Sequence, residues 1–136
     1  MTTVHVLLVE DNLDNRDMMQ FLLERAGYVV STANTGLEAL STAHREKPDI
    51  ILMDLSMPEM DGWTAAKEIK KDPVLANVPL IAVTAHTLPG DRRKALDSGF
   101  DSYISKPINV RMFDVMVAEV LKEKSKKAED TPKPEG

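Results

Sequence analysis

Short apolar runs alternate along most of the chain with longer segments in which apolar residues recur at helical spacing. The short runs are often β-branched and are bounded by Asp, Asn, Gly or Pro, which predicts β-strands. Five strands are predicted in this way, at residues 4–9, 28–33, 50–53, 80–83 and 103–104. Because the strands alternate with helices, we expect parallel β-α units and therefore a doubly wound α/β sheet with helices on both faces. The strands are almost continuously apolar, as parallel strands buried on both sides should be.

Residues that start or stop helices mark the limits of five helical segments. The markers are Gly27 after the first helix, Thr35 before the second, the Asp72-Pro73 pair near the end of the third, Pro89 and Gly99 around the fourth, and Asn109 at the start of the last. Leu37, Leu40 and Ala43 share one stripe of the second helix, so we expect them to face the sheet.

The composition is that of an ordinary globular domain. A length of 136 residues suits one domain, predicted at 1–124, and the polar segment 125–136, with two prolines, predicts a disordered tail.

The net charge of −5 argues against direct binding to nucleic acid. The absence of cysteine excludes disulfides and cysteine-ligated zinc, and agrees with a reducing cytoplasm. No apolar run approaches membrane-spanning length, and the first residues suggest a strand and not a signal peptide, so we expect a cytoplasmic protein without membrane contact.

Polar side chains collect where four of the predicted strands end. They are Glu10 and Asp11 after the first strand, Asp54 after the third, Thr84 after the fourth and Lys106 after the fifth. Each of them alone has a structural explanation, because acids after strands form turns and cap helices. In an open α/β sheet, however, ligands bind at the carboxyl ends of the strands. The shared position of these residues therefore predicts a functional site.

The residue types at this edge suggest a metal and a phosphoryl group. Three carboxylates close together repel one another, and a single lysine cannot neutralise them. A hard dication such as Mg²⁺ can, and it would retain waters and accept phosphate oxygens as further ligands. Asp54 is then a candidate metal ligand and a candidate nucleophile that attacks phosphorus to form an aspartyl-phosphate. Lys106 and Thr84 would donate to the phosphoryl oxygens.

Four stretches of sequence, taken together, resemble the receiver domain of two-component response regulators. They are LLVEDN at 7–12, DIILMDLSMPEMDG at 49–62, IAVTAH at 81–86 and YISKPI at 103–108. The likeness covers roughly residues 4–124, and the chain is similar to the single-domain regulators of the chemotaxis and cell-cycle types. It implies a flavodoxin-like sheet with strand order 2-1-3-4-5. It also implies a signalling switch in a phosphorelay.

The resemblance implies that Asp54 is phosphorylated by a histidine kinase or a histidine phosphotransfer protein. Asp11, Asp54 and the main-chain carbonyl of Ser56 would bind Mg²⁺, with Glu10 assisting and Mn²⁺ able to substitute. Thr84 would bond to the phosphoryl group. Lys106 would pair with the same group.

Further positions are expected to act in switching and in setting the phosphoryl lifetime. Thr84 would move on activation and Tyr103 would swing inward with it. The Lys106-Pro107 peptide bond is cis in relatives, and proline is the residue type that permits this at modest cost. Ser56 and His86 occupy the two positions that tune the hydrolysis of the phosphoryl group in the family.

The resemblance also implies how the signal leaves the domain. Phosphorylation would change the affinity of the surface formed by the fourth helix, fifth strand and fifth helix for a downstream target protein. The chain would be a monomer or a phosphorylation-dependent homodimer. It would not be an enzyme with a separate substrate, since it would catalyse only its own phosphotransfer and autodephosphorylation.

Three other functions compete with this interpretation. A phosphohydrolase with an Asp nucleophile would carry a second Asp two residues later as general acid, where this chain has Ser56. A nucleotide or flavin module would need a glycine-rich loop after the first strand, where this chain has the acidic stretch EDNLDN. A degenerate receiver would lack part of the site, whereas all of its residue types are present.

Overall fold

The computed structural model describes residues 3–55, 62–84, 90–106 and 108–130. Strands and helices alternate throughout these residues. Their order is β1 (His5–Val9), α1 (Leu13–Arg25), β2 (Val29–Ala33), α2 (Gly36–Glu46), β3 (Ile50–Asp54), α3 (Gly62–Lys71), β4 (Leu80–Thr84), α4 (Asp91–Asp97), β5 (Ser102–Ser105) and α5 (Phe113–Asp130). Among the helices of the described part of the chain, none is long and apolar enough to cross a bilayer.

The five strands form one parallel sheet in the order β2-β1-β3-β4-β5. This is the flavodoxin-like order, and the doubly wound α/β fold predicted from the alternation is confirmed. The strand register pairs Val9 with Met53, and Thr84 with Ser105. The carboxyl ends of β1, β3, β4 and β5 therefore lie side by side at one edge of the sheet.

Two apolar clusters cover the two faces of the sheet. Alternate residues of β1 face opposite ways, so Leu7 belongs to one cluster and Leu8 to the other. The cluster with Leu7 is completed by α2, α3 and Ala95 of α4, and the cluster with Leu8 by α1 and α5. All five residues of β3 are buried, which explains its continuous apolar run.

The second helix packs differently from the stripe expected from its sequence. Ala39 and Ala43 are buried against the sheet and Leu40 is partly buried, but Leu37 is 52% exposed, so the prediction for Leu37 was wrong. Small residues bring α2 close to the sheet, and the buried face is centred on them. The predicted N-cap is present, since the side chain of Thr35 accepts a hydrogen bond from the amide of Glu38 at 3.1 Å.

Both limits of the last helix differ from the prediction. Asn109 forms a turn before the helix, because its carbonyl accepts from the amide of Phe113 at 3.0 Å and its side chain accepts from the amide of Arg111 at 3.1 Å. The helix then continues to Asp130, six residues into the segment predicted as a disordered tail. Lys, Glu and Ala favour helix, and no helix breaker occurs before Pro132. Residues 131–136 lie outside the described part of the chain, as does Pro89 before α4.

Candidate functional site

The polar residues of the candidate site are held at the strand ends by backbone hydrogen bonds. The amide of Glu10 donates to the carbonyl of Ala33 at 3.1 Å, one residue beyond the end of β1. One residue beyond the end of β5, the amide of Lys106 donates to the carbonyl of Thr84 at 2.8 Å. Asp54 and Thr84 are themselves the last residues of β3 and β4. The directions of these side chains are thus set by the sheet.

Three of the polar side chains are withdrawn from solvent. Glu10 is 0%, Thr84 2% and Asp54 4% exposed, whereas Asp11 is exposed. Burying an ionised carboxylate is costly unless it is paired or coordinated. The buried carboxylates therefore need a cation beside them. The site is open to solvent on the side of Asp11.

The three carboxyl groups lie close together. One oxygen each from Glu10, Asp11 and Asp54 falls within 4.8 Å of the other two. Burial, together with the neighbouring Asp54, raises the pKa of Glu10 from 4.5 to about 7. Burial first, and the neighbouring carboxyl group second, thus oppose the charged form of Glu10.

Lys106 reaches two of the acids. Its Nζ lies 2.8 Å from Oε1 of Glu10 and 3.5 Å from Oδ2 of Asp54. Burial alone would lower the pKa of Lys106, but the two carboxylates outweigh this effect and the pKa is raised. Lys106 is therefore a stable cation, but it contacts two of the three clustered carboxyl groups and supplies only one positive charge.

The residues present suit a divalent cation. Among the described residues, Oε1 of Glu10 is a buried acceptor without an aligned hydrogen-bond donor, although Lys106 is near enough for an ion pair. The three clustered oxygens are hard ligands, and the exposed side of Asp11 leaves room for waters and phosphate oxygens. This combination is the one that Mg²⁺ prefers.

The structure describes some of the other predicted site residues but not all of them. Thr84 ends β4 beside Ser105, and Tyr103 is half-buried on β5, where it packs against the apolar cluster that contains Leu7. Ser56, His86 and Pro107 lie outside the described residues, and with them the main-chain carbonyl of Ser56 and the Lys106-Pro107 bond.

Asn12 supports the site and was not singled out from the sequence. Its amide donates to Oε2 of Glu10 at 3.4 Å, and its side chain accepts from the amide of Asn15 at 2.9 Å as the N-cap of α1. The sequence could have indicated this role, because Asn directly before a helical segment is a strong N-cap.

The hydrogen bond from Arg16 to the side chain of Asn34 joins α1 to the turn after β2, and no local sequence pattern could have predicted it.

Comparison with known proteins gives consistent matches. The family described as the response regulator receiver domain matches residues 6–118. The polar-differentiation response regulator DivK of Brucella ovis is 42% identical over 111 residues, which cover 82% of this chain and 90% of that protein. The DivK of Brucella anthropi is 43% identical over 108 residues, which cover 79% and 88%.

Solved structures show the same similarity. The chemotaxis response regulator CheY4 of Vibrio cholerae superposes with a TM-score of 0.83 at 30% identity, covering 88% of this chain and 99% of that one. The receiver domain of a sensor histidine kinase from Pseudomonas aeruginosa superposes with a TM-score of 0.82 at 34% identity, covering 89% and 99%. That structure holds a magnesium ion coordinated in its active-site cleft.

Proposed function

This chain belongs to the response regulator receiver family and acts in two-component signalling, and we propose that Asp54 is the residue on which it accepts a phosphoryl group. The observation that carries the proposal is the position of Asp54. It is the buried last residue of the central strand β3, lies near Glu10 and Asp11, and is 3.5 Å from the ammonium of Lys106.

The proposed reaction is a transfer between two protein side chains. A carboxylate oxygen of Asp54 forms a bond to phosphorus while the P–N bond of a phosphohistidine on the donor protein breaks, and the imidazole keeps the electron pair. Lys106, whose Nζ lies 3.5 Å from Oδ2 of Asp54, would pair with the phosphoryl oxygens, and Thr84, the last residue of the neighbouring strand β4, would donate a hydrogen bond to them. Because each of these groups is at or next to the end of a strand, we expect little reorganisation as charge develops.

Receiver domains bind Mg²⁺ at an acidic pocket, and the cluster of Glu10, Asp11 and Asp54 fits this use. We assign these three side chains, with the main-chain carbonyl of Ser56, as the ligands, and we expect Mn²⁺ to substitute. When bound, the cation supplies the positive charge that Lys106 alone cannot give to the acids and to the incoming phosphate.

Membership of the family implies interaction with histidine kinases and with downstream targets. We further propose that a histidine phosphotransfer protein can serve as donor and that the α4–β5–α5 face carries the output. Thr84 and Tyr103 would couple the site to this face, and Ser56 and His86 would set the rate of autodephosphorylation. The chain would work in the cytoplasm, as a monomer or a phosphorylation-dependent dimer, without direct contact with nucleic acid.

The test is phosphorylation by a small donor. The protein is incubated with Mg²⁺ and acetyl phosphate and its intact mass is measured. We expect one added phosphoryl group that is removed by hydroxylamine and absent when Mg²⁺ is chelated. Asp54→Asn should abolish the adduct.

The matched control is Asp49→Asn, which removes the same charge at the other end of β3. There Oδ2 of Asp49 accepts from the amide of His5 at 2.8 Å, a bond that Asn can also make. Asp49→Asn should be phosphorylated like the parent. An adduct that survives Asp54→Asn, or none on the parent under conditions that modify a known receiver, would overturn the assignment.

A further inference from the structure

A tryptophan in the first turn of α3 contacts α4. Nζ of Lys94 lies 4.6 Å from the centroid of the Trp63 ring, a cation–π distance. The same ring meets Phe100 edge-on, with centroids 5.9 Å apart and ring planes at 89°. Trp63 thus contacts α4 at Lys94 and the turn after α4 at Phe100.

Most of the described side chains of α4 are exposed. Of its described side chains Ala95 is buried, whereas Arg93, Lys94, Leu96 and Asp97 are exposed. A helix of seven residues has little stability of its own, so its position depends on tertiary contacts. The contact between Trp63 and Lys94 is therefore, together with the burial of Ala95 in the core, among the contacts that fix α4.

The C-terminal end of α4 supports the Phe100 contact. The amide of Phe100 donates to the carbonyl of Ala95 at 3.1 Å, and the amide of Gly99 donates to that of Leu96 at 3.2 Å, which together make a Schellman motif. Phe100 is directed into the core by this motif and is buried. Lys94, six residues earlier in the sequence, is exposed, so of the two partners of Trp63 it is the one that can move without disturbing the core.

The position of Trp63 connects the two functional regions. It is the second residue of α3, the element that follows β3 and Asp54 along the chain. After α4 the chain enters β5, which carries Tyr103 and leads to Lys106. A contact between Trp63 and Lys94 therefore links the segment after the phosphoacceptor to the proposed output face.

We propose that the Trp63–Lys94 contact holds α4 in its resting position and opposes the change of the α4–β5–α5 face. The first half of this proposal concerns the unphosphorylated chain alone, and the second half rests on the proposed function. A cation–π contact at an exposed site changes an equilibrium by about two- to fivefold. This factor is the expected size of every effect below.

The first experiment measures residue-resolved hydrogen exchange of the unphosphorylated chain. The amides of Ser98 and Phe100 donate to carbonyls of α4 and report its opening. In Lys94→Met they should exchange about two- to fivefold faster than in the parent. Lys94→Arg should keep the protection, because a guanidinium also binds an aromatic face.

A double-mutant comparison isolates the contact from general effects on the helix. In the Trp63→Leu background, Lys94→Met should cause no further acceleration. The control is Arg93→Met, which removes the same charge and a pair with Asp97 at 3.4 Å, and its effect should be equal in both backgrounds. Equal acceleration by Lys94→Met in both backgrounds would overturn the proposal. Should Trp63→Leu fail to fold, equal exchange in Lys94→Met and Lys94→Arg would overturn it as well.

The second experiment measures the rate of phosphorylation by acetyl phosphate. If the contact favours the resting state, Lys94→Met should be phosphorylated about two- to fivefold faster than the parent. An unchanged rate, combined with faster exchange, would overturn the role in switching. Failure of the proposed function would give a different result. The parent itself would then gain no adduct on Asp54, whereas the faster hydrogen exchange of Lys94→Met would still be observed.

Discussion

Lys106 and Glu10 form an ion pair of 2.8 Å that joins the end of β5 to the end of β1, across the intervening strands β3 and β4. Glu10 is fully buried, and the side chain of Lys106 is 17% exposed. The cation proposed to pair with the phosphoryl group is thus held by a different acid while that group is absent. Phosphorylation would have to compete with Glu10 for Lys106.

We predict that Lys106→Met lowers the free energy of unfolding by about 1–3 kcal/mol when divalent cations are chelated. Removing one partner of a fully buried pair costs about 3–5 kcal/mol. The cost should be smaller here because Lys106 keeps some contact with water and because Glu10, with a pKa of about 7, can take up a proton. Urea unfolding at about pH 7, where Glu10 can take up this proton, measures the loss.

Lys71→Met is the matched control for this prediction. Lys71 is 73% exposed and pairs with Glu68 within α3, so its loss should cost less than about 0.5 kcal/mol. Equal losses in the two variants would show that the buried pair contributes no more than a surface one.

Asp11→Asn should weaken Mg²⁺ binding by about tenfold or more, as loss of a charged ligand would. Isothermal titration calorimetry with Mg²⁺ measures this directly. Asp14→Asn removes the same charge from the first turn of α1, and there the affinity should change by less than about twofold because Asp14 is exposed to solvent screening and is not one of the three clustered acids. Similar losses in both variants would contradict the assignment of Asp11 as a ligand.

Thr84→Ala should separate phosphorylation from switching. Thr84 lies beside Ser105 in the β4–β5 register, and Tyr103 is on the same strand β5. We expect Thr84→Ala to accept the phosphoryl group but to lose the phosphorylation-dependent change at Tyr103, followed by NMR of its ring. Thr84→Ser keeps the hydroxyl and should keep the change. A full response of Tyr103 in Thr84→Ala would argue against Thr84 as the coupling residue.

The fold could be predicted because each level of the sequence agrees with the others. Apolar strands such as Ile50–Asp54 alternate with helical segments, and a parallel arrangement places every strand end on one edge. Glu10, Asp54 and Lys106 each occur where such a strand ends. Their proximity therefore follows from topology alone, without knowledge of the exact register.

Pairings between distant residues could not be predicted in the same way. That Lys106 is nearer to Glu10 than to Asp54, and that Lys94 packs on Trp63, depends on side-chain directions that no local pattern specifies. Leu37 was misplaced because the small residues Ala39 and Ala43 decide which face of α2 approaches the sheet. The limits of α5 depend on small differences in helix propensity, which a sequence pattern resolves poorly.

Two glycines that end helices allow backbone strain to be separated from crowding. Gly27 and Gly99 both follow Schellman-type helix ends, with φ of 100° and 107°, a region that L residues rarely adopt. A Cβ on Gly27 would meet nothing within 4 Å, whereas a Cβ on Gly99 would fall 2.9 Å from Cγ of Lys70. Lys70 is in turn held by the carbonyl of Ala76, to which its Nζ donates at 3.1 Å.

We predict that Gly27→Ala lowers the free energy of unfolding by about 1–2 kcal/mol, from backbone strain alone. Gly99→Ala should cost about 1 kcal/mol more, because Lys70 must move and its hydrogen bond to Ala76 is then lost. Urea unfolding measures both losses. In a Lys70→Ala background, the cost of Gly99→Ala should fall to that of Gly27→Ala, since only the strain remains. A cost that is unchanged by Lys70→Ala would show that crowding by Lys70 contributes nothing.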